Sequence, residues 1–335
     1  MNRIKYALTL ASSLLISWSS LSAATQAVTD PVGVVEIDVA GFGYTFAGIP
    51  LVNETSFVGS AVSVSSNTVT FDADPFTSGE FDEVIIGSEN VPQYIFEVTS
   101  GSDVGAMIPI ISNDSATITL SEDVSAFISS GTTGKIRALP TLDSLFPEGG
   151  PLTSGFSAAA ADQILVFDSE TQTSKSYFYY SFLGTDEWRS GATPNGLRSI
   201  LPNQSIYINR KGPATKVRFT GSVKTGTTAI DILPGYNLIP NPYPVAYTFN
   251  LSDLYTGDST TGVASGFSAA VADEVIIYDA NATPTVYFYY SFLGTEEWRS
   301  GATATGEVEI PAGGALMVNR KGGRGPFSWV KTQPF

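Results

Sequence analysis

The side chains that could carry chemistry here are mostly carboxylates and aromatic rings, because the 335 residues contain no His and no Cys. That removes the usual general base, the commonest metal ligand and the Ser-His and Cys-His nucleophile pairs. Chemistry that two carboxylates can do alone remains, and glycoside hydrolysis, its main example, needs carboxyl groups about 5–10 Å apart. Asp186-Glu187 and Glu296-Glu297 lie beside a Trp and a run of rings, so they are the pairs to weigh. Neighbours in an extended segment point to opposite sides, and exchanging Asp186 for Glu296 alters reach by a methylene that a catalytic site would feel. They read as polar turn residues, and the chain reads as a non-enzyme with carboxylate-only chemistry left open.

Oxygen ligands could also hold a hard cation. The stretch "DADPFTSGEFDE" brings Asp72, Asp74, Glu80, Asp82 and Glu83 together, and Ca2+ takes six to eight such ligands without His or Cys. The spacing does not match the EF-hand pattern, and a solvated acidic turn is the competing reading.

The rings occur twice. "YFYYSFLGTDEWRSGAT" at 177–193 returns as "YFYYSFLGTEEWRSGAT" at 287–303. In a strand, Tyr177, Tyr179 and Ser181 share one side and Phe178, Tyr180 and Phe182 the other, so both sides are aromatic. One fills a core, and the other must meet a second layer, a subunit or a ligand. Tyr177, Tyr179, Trp188 and Arg189, with Tyr287, Tyr289, Trp298 and Arg299, form the candidate platform for a sugar ring. A strand covered on both sides explains the same pattern without a ligand. Arg210-Lys211 and Arg320-Lys321, each inside "NRKG", could present cations to sulfate, phosphate or uronate, or to the acidic half of the chain.

The elements that must position these groups begin after a segment with the parts of a secretory signal: Arg3 and Lys5, an apolar run, then "SSLSAATQA". That run of about 12 residues is short of the roughly 20 needed to span a bilayer. Residues 1–24 are therefore expected to be removed on export, to the periplasm, the cell surface or the medium. The formal charge of −15 becomes −17 once Arg3 and Lys5 leave, so nucleic acid and anionic lipid are poor partners. Between Thr25 and Gly134 stand 15 carboxylates and no cation, a break in composition that places a boundary near Pro140.

Residues 25–140 show short runs such as "TVTFDA" and "ATITLS" with period two, separated by Gly, Asn, Asp and Pro; an acidic N-terminal β-barrel or small sandwich is expected. Thereafter "GFSAAAADQILVFD" at 155–168 returns as "GFSAAVADEVIIYD" at 266–279, and "NRKG" follows each copy's rings. The spacing of about 110 residues suits one β module per copy, at 141–232 and 250–335, as two small sandwiches or one pseudo-twofold sandwich. The proline-rich "GYNLIPNPYPVAYTF" between them, residues 233–249, is expected to be an extended edge segment or connector.

That connector resembles the "GWNLIGNPYP" signature of β-rich modules in bacterial surface proteins, with Tyr236 and Pro240 at the differing positions. The chain as a whole resembles an uncharacterised family of exported bacterial β-rich proteins. "TDPVGVVEIDVAGFGYTFAGIPLV", "QYIFEVTSG", the "AD" and "WR" pairs and "RKG" carry the likeness. It implies export and a β-rich architecture, and no catalytic residues. The reading is an all-β, exported cell-envelope protein for adhesion or structural assembly by self-association. Carbohydrate binding to surface polysaccharide is the alternative, and an outer-membrane barrel a more distant one.

Overall fold

The computed structural model describes residues 30–279 and 281–335, so the expected signal segment, residues 1–24, lies outside the described residues. The described chain is all-β, its helix confined to Leu142–Leu145 and two single 3-10 turns. Prolines, glycines and Asx turns break the runs often enough that most strands have fewer than eight residues.

The acidic half contains a closed barrel. Thr55–Ser60 pairs with Thr133–Ala138, and Ser63–Ser65 pairs with Thr68–Thr70. The two short strands are halves of one strand that changes neighbours at its bend, where the Ala61 amide donates to Thr132 and that of Val62 to Thr70. The circuit runs on through Tyr94–Val98, Met107–Asn113 and Thr117–Leu120. The alternating runs do what period two requires: Val69 and Phe71, and Ile118 and Leu120, point into a core with Phe96, Ile110 and Ile136. Gly134 is needed because the Phe96 ring lies where a β-carbon would stand. An apolar interior and strands of at most seven residues are the reverse of an outer-membrane barrel, whose strands take about 9–11 residues to cross lipid and face it with their apolar side.

Two six-stranded sheets follow, with equivalent strand order. In the first, Thr193–Pro194, Thr185–Ser190, Thr173–Phe182, Gln163–Asp168, Ile206–Asn209 and Tyr44–Ala47 are neighbours in turn. The second orders Thr303–Ala304, Thr295–Ser300, Pro284–Phe292, Glu274–Tyr278, Ala315–Arg320 and Gly235–Pro240 in the same way. Tyr44 stands opposite Asn209 as Tyr236 stands opposite Asn319, so "GYTFAGIP" and "GYNLIPNP" hold the same place. Val32–Val39 likewise pairs along its length with Thr215–Val223, and Thr228–Ile232 with Phe327–Lys331.

These ladders correct the expected division of the chain. Residues 32–52 complete the first module: Tyr44–Ala47 is the last strand of its six-stranded sheet, Val32–Val39 and Leu51–Val52 flank Thr215–Val223 in a second sheet of three, and Val35, Val39, Ala47 and Leu51 enter its core. The barrel is therefore inserted between them and the helix that starts at Leu142. Of the two expectations for the proline-rich segment, the extended edge segment holds and the separate connector does not, since Gly235–Pro240 is the edge strand of the second sheet. Composition misplaced the first boundary because the acidic strand finds its cations across the ladder: Glu36 pairs with Lys216 and with Arg218 (2.7 Å), and Asp38 with Lys216 (3.3 Å).

Where the barrel joins the sheets, Glu97, Arg137 and Lys224 are buried together, at 3 %, 1 % and 2 % exposure. Glu97 accepts from Arg137 Nε at 2.8 Å and from Lys224 Nζ at 2.6 Å, and Arg137 reaches Asp30 and the Asn53 carbonyl, both at 2.8 Å. Burial alone would raise the Glu97 carboxyl, but the charges and hydrogen bonds of Lys224 and Arg137 outweigh it and hold the group below the ordinary value of 4.5. Elsewhere Glu89, on the hairpin of Val84–Ile86 and Glu89–Val91 within the inserted segment, takes both Lys175 and Arg198 from the first module. The two sheets meet through Phe46 stacked on Tyr278, centroids 4.4 Å apart, and through the Gln172 amide, which bonds the Tyr236 N–H and C=O at 2.9 Å each.

Removing the carboxylate leaves two cations buried, so Glu97→Gln should cost about 3–5 kcal/mol in denaturant unfolding, and E97L/K224M should lose less than the two single changes summed. The pH dependence has one sign. A depressed carboxyl stabilises above its unfolded value and loses that stabilisation as pH falls through the folded one. The wild type should therefore weaken below about pH 4.5, with a steeper slope than Glu97→Gln.

Candidate interaction surfaces of the duplicated hairpins

Each aromatic block is a hairpin. Thr173–Phe182 and Thr185–Ser190 face each other with Tyr179 opposite Trp188, Tyr180 opposite Glu187 and Phe182 opposite Thr185. The second copy repeats the register with Tyr289 opposite Trp298, Tyr290 opposite Glu297 and Phe292 opposite Thr295. Cross-strand partners share a face, so each hairpin has one side carrying Trp and Tyr and another carrying Arg, Glu and the remaining rings.

The first side is core. Tyr177, Tyr179 and Trp188 are buried, the two Tyr179 and Trp188 rings meeting edge to face at 5.6 Å, and Trp188 Nε1 donates to the Phe146 carbonyl at 3.2 Å. Burial pushes the Tyr177 hydroxyl up to about 12. In the second copy Tyr287 and Trp298 are buried, and Tyr289 is covered by Tyr255, stacked at 3.5 Å. The candidate sugar platform is thereby corrected: the rings that would stack on a ligand are stacked on the protein. Apolar area is worth more inside than a sugar could return at a half-covered strand.

On the other side, Arg189 lies 3.6 Å from the Tyr180 centroid and its Nε donates to Glu187 at 2.7 Å. Arg299 does the same with Tyr290 at 3.7 Å and Glu297 at 2.7 Å. Each Arg thus uses a Tyr and the neighbouring carboxylate, not the adjacent indole. The carboxylate pairs do not converge: Glu187 and Glu297 are tied to Arg, while Asp186 and Glu296 lie on the opposite face beside Ser181 and Ser291.

The "NRKG" cations face inward. Arg210 is buried against Asp162, whose other oxygen takes the Lys211 amide at 2.5 Å. Arg320 pairs with Asp273 at 2.7 Å, Arg324 with the same carboxylate at 3.0 Å, and Lys321 with Glu274 at 2.9 Å. The "AD" motif is therefore the counter-charge of "RKG" within each module, which overturns both the anion site and the contact with the acidic half for Arg210 and Arg320. Lys211 is exposed at its turn. In the acidic loop, Glu80 accepts from the Thr77 amide at 3.1 Å and Asp82 from the Asn113 amide at 3.0 Å, and burial raises the Glu83 carboxyl. Among the described residues no three acidic side chains gather as they would around a metal ion, so Asp72, Asp74, Glu80, Asp82 and Glu83 are not brought together.

Sequence reasoning passed over the hairpin tips. Leu183 and Leu293 are 87 % and 88 % exposed, and each stands at the apex of a two-residue turn with positive φ, 52° and 51°, followed by a glycine at 80° and 79°. That is the backbone for which Asn-Gly is the favoured pair, and a Leu in it costs about 1–2 kcal/mol. Phe182 and Phe292 flank the apex, each 50 % exposed. A further ring joins from the preceding loop: the Gly155 amide donates to Tyr179 and its carbonyl accepts from Ser181, which sets Phe156 with its centroid 6.2 Å from Phe182. Gly266 repeats this bridge and sets Phe267 6.2 Å from Phe292. Phe156 and Phe267 are 65 % and 59 % exposed, so each module ends in an apolar cap of two Phe and one Leu. The legible signal was "SFLGT", a hairpin turn with Leu where a polar turn residue fits better.

Burial separates the two faces in energy: Trp188→Ala or Trp298→Ala should cost about 3–5 kcal/mol in denaturant unfolding, whereas Asp186→Asn and Glu296→Gln should stay within about 0.5 kcal/mol. No family model matches the chain, and no curated protein or solved structure matches it significantly.

Proposed function

We propose that this chain is an exported, non-enzymatic cell-envelope protein that adheres or assembles through its duplicated β modules, with the two apolar caps as the adhesive elements. One observation carries the reading: the hairpins bury their Tyr and Trp rings but hold two Phe and a Leu in water at each tip, on a turn whose backbone disfavours the Leu. An exposed apolar cluster bought with backbone strain is a contact surface rather than leftover packing. Export rests on the signal pattern of residues 1–24, and without Cys the fold depends on its three apolar cores. Two caps on one chain give avidity when both engage. Carbohydrate binding has less support, since the rings it requires are in the cores.

The test is fractionation of native cells expressing the full chain. Wild type should sediment with washed envelopes, and Phe182→Ser combined with Phe292→Ser should release it to the soluble or culture fraction. Equal retention of the two would overturn the reading.

A further inference from the structure

Resting on that adhesive reading, we propose that the partner of the caps is an uncharged lipid surface, into whose headgroup boundary each cap inserts. Three features of the caps select it. The first is area. Two half-exposed Phe rings and one exposed Leu present about 300 Å² per cap, whereas a stable protein–protein interface takes about 800 Å² from each partner. A fluid apolar phase needs no complementary shape and accepts a small convex tip.

Backbone is the second. Phe182 and Thr185, like Phe292 and Thr295, form the last ladder pair before a two-residue turn, so few main-chain groups lose water without a partner when the apex is covered. A projection this short matches an insertion of about 5–10 Å at the acyl boundary.

Charge is the third. Asp186 and Glu296 are the ionisable groups at the exposed tips, where residues 182–186 and 292–296 contain no Lys or Arg. The cations that follow each turn in sequence, Arg189 and Arg299, are held by Glu187 and Glu297, and Lys321, which reaches the loop behind Phe267, is paired with Glu274. A cap that carries a carboxylate, on a chain whose formal charge of −15 becomes −17 without Arg3 and Lys5, is repelled by an anionic leaflet, which attracts basic segments instead. The surface that fits is zwitterionic or neutral.

Leu183→Asn with Leu293→Asn gives a clean test, because Asn is favoured at a positive φ in this turn and the variant should keep or raise the thermal midpoint. The exported form of the chain is mixed with vesicles of phosphatidylcholine and phosphatidylethanolamine and sedimented. Wild type should bind, the double Asn variant should bind about tenfold less or weaker, and replacing about a third of the lipid with phosphatidylglycerol should reduce wild-type binding at low salt. Wild type left in the supernatant, or an Asn variant that sediments equally, would overturn the proposal. So would lipid-free oligomers in light scattering that the Asn variant lacks, since the caps would then dock on a second copy. If vesicles fail while the Ser variants still leave native envelopes, the lipid assignment is wrong and the adhesive reading stands.

Discussion

The buried cluster of Glu97, Arg137 and Lys224 is the constraint on which the arrangement of this chain depends. It joins a barrel strand, the strand by which the chain leaves the barrel, and the residues that link the two modules. Three charges out of water are costly unless each is paired and hydrogen-bonded, and here Asp30, Asn53 and Thr227 complete the set. Such a cluster is satisfied in one docking of the barrel and leaves charges stranded in others. With the barrel held there, residues 32–52 and 140–223 are close enough to pair in the two sheets of the first module across an insertion of about 85 residues, a loop-closure cost that grows only slowly with length.

The two modules then solve the same packing problem in the same way. A hairpin with rings on both faces must be covered on both, and each module covers one face with its own core and the other with a stacked Arg, a bound carboxylate and the loop that bridges at Gly155 or Gly266. Buried Asp–Arg pairs, Asp162 with Arg210 and Asp273 with Arg320, fix that loop against the strand carrying the Arg. The loop cannot reach past the turn, and the surface it leaves uncovered is the cap. Position in the fold, rather than residue type, thus decides which of the many rings can meet a partner.

Much of this was legible in the sequence where the signal was local. Period-two runs around Val69 and Ile118 gave strands with a buried face, and the repeated blocks marked corresponding strands. Long-range pairing was not legible. The "GYTFAGIP" strand lies some 160 residues from its ladder partner Ile206–Asn209, and a boundary drawn from the cation-free span between Thr25 and Gly134 followed charge rather than hydrogen bonding. The fate of Tyr177 and Tyr179 was undetermined for the same reason, because what covers a two-sided aromatic strand comes from elsewhere in the chain. Motif reading also favoured "WR" and "NRKG", whose charges prove to be satisfied inside, over "FLG", whose significance lies in a backbone angle.

The central claim is that the caps, and no other surface, meet the envelope. Amide hydrogen exchange of the chain without residues 1–24, compared free and bound to native envelopes, tests it most directly. The account predicts slowed exchange in peptides spanning 181–187 and 291–297 with the barrel unchanged. Protection on the barrel strands, with both hairpin tips exchanging as they do in the free protein, would contradict it.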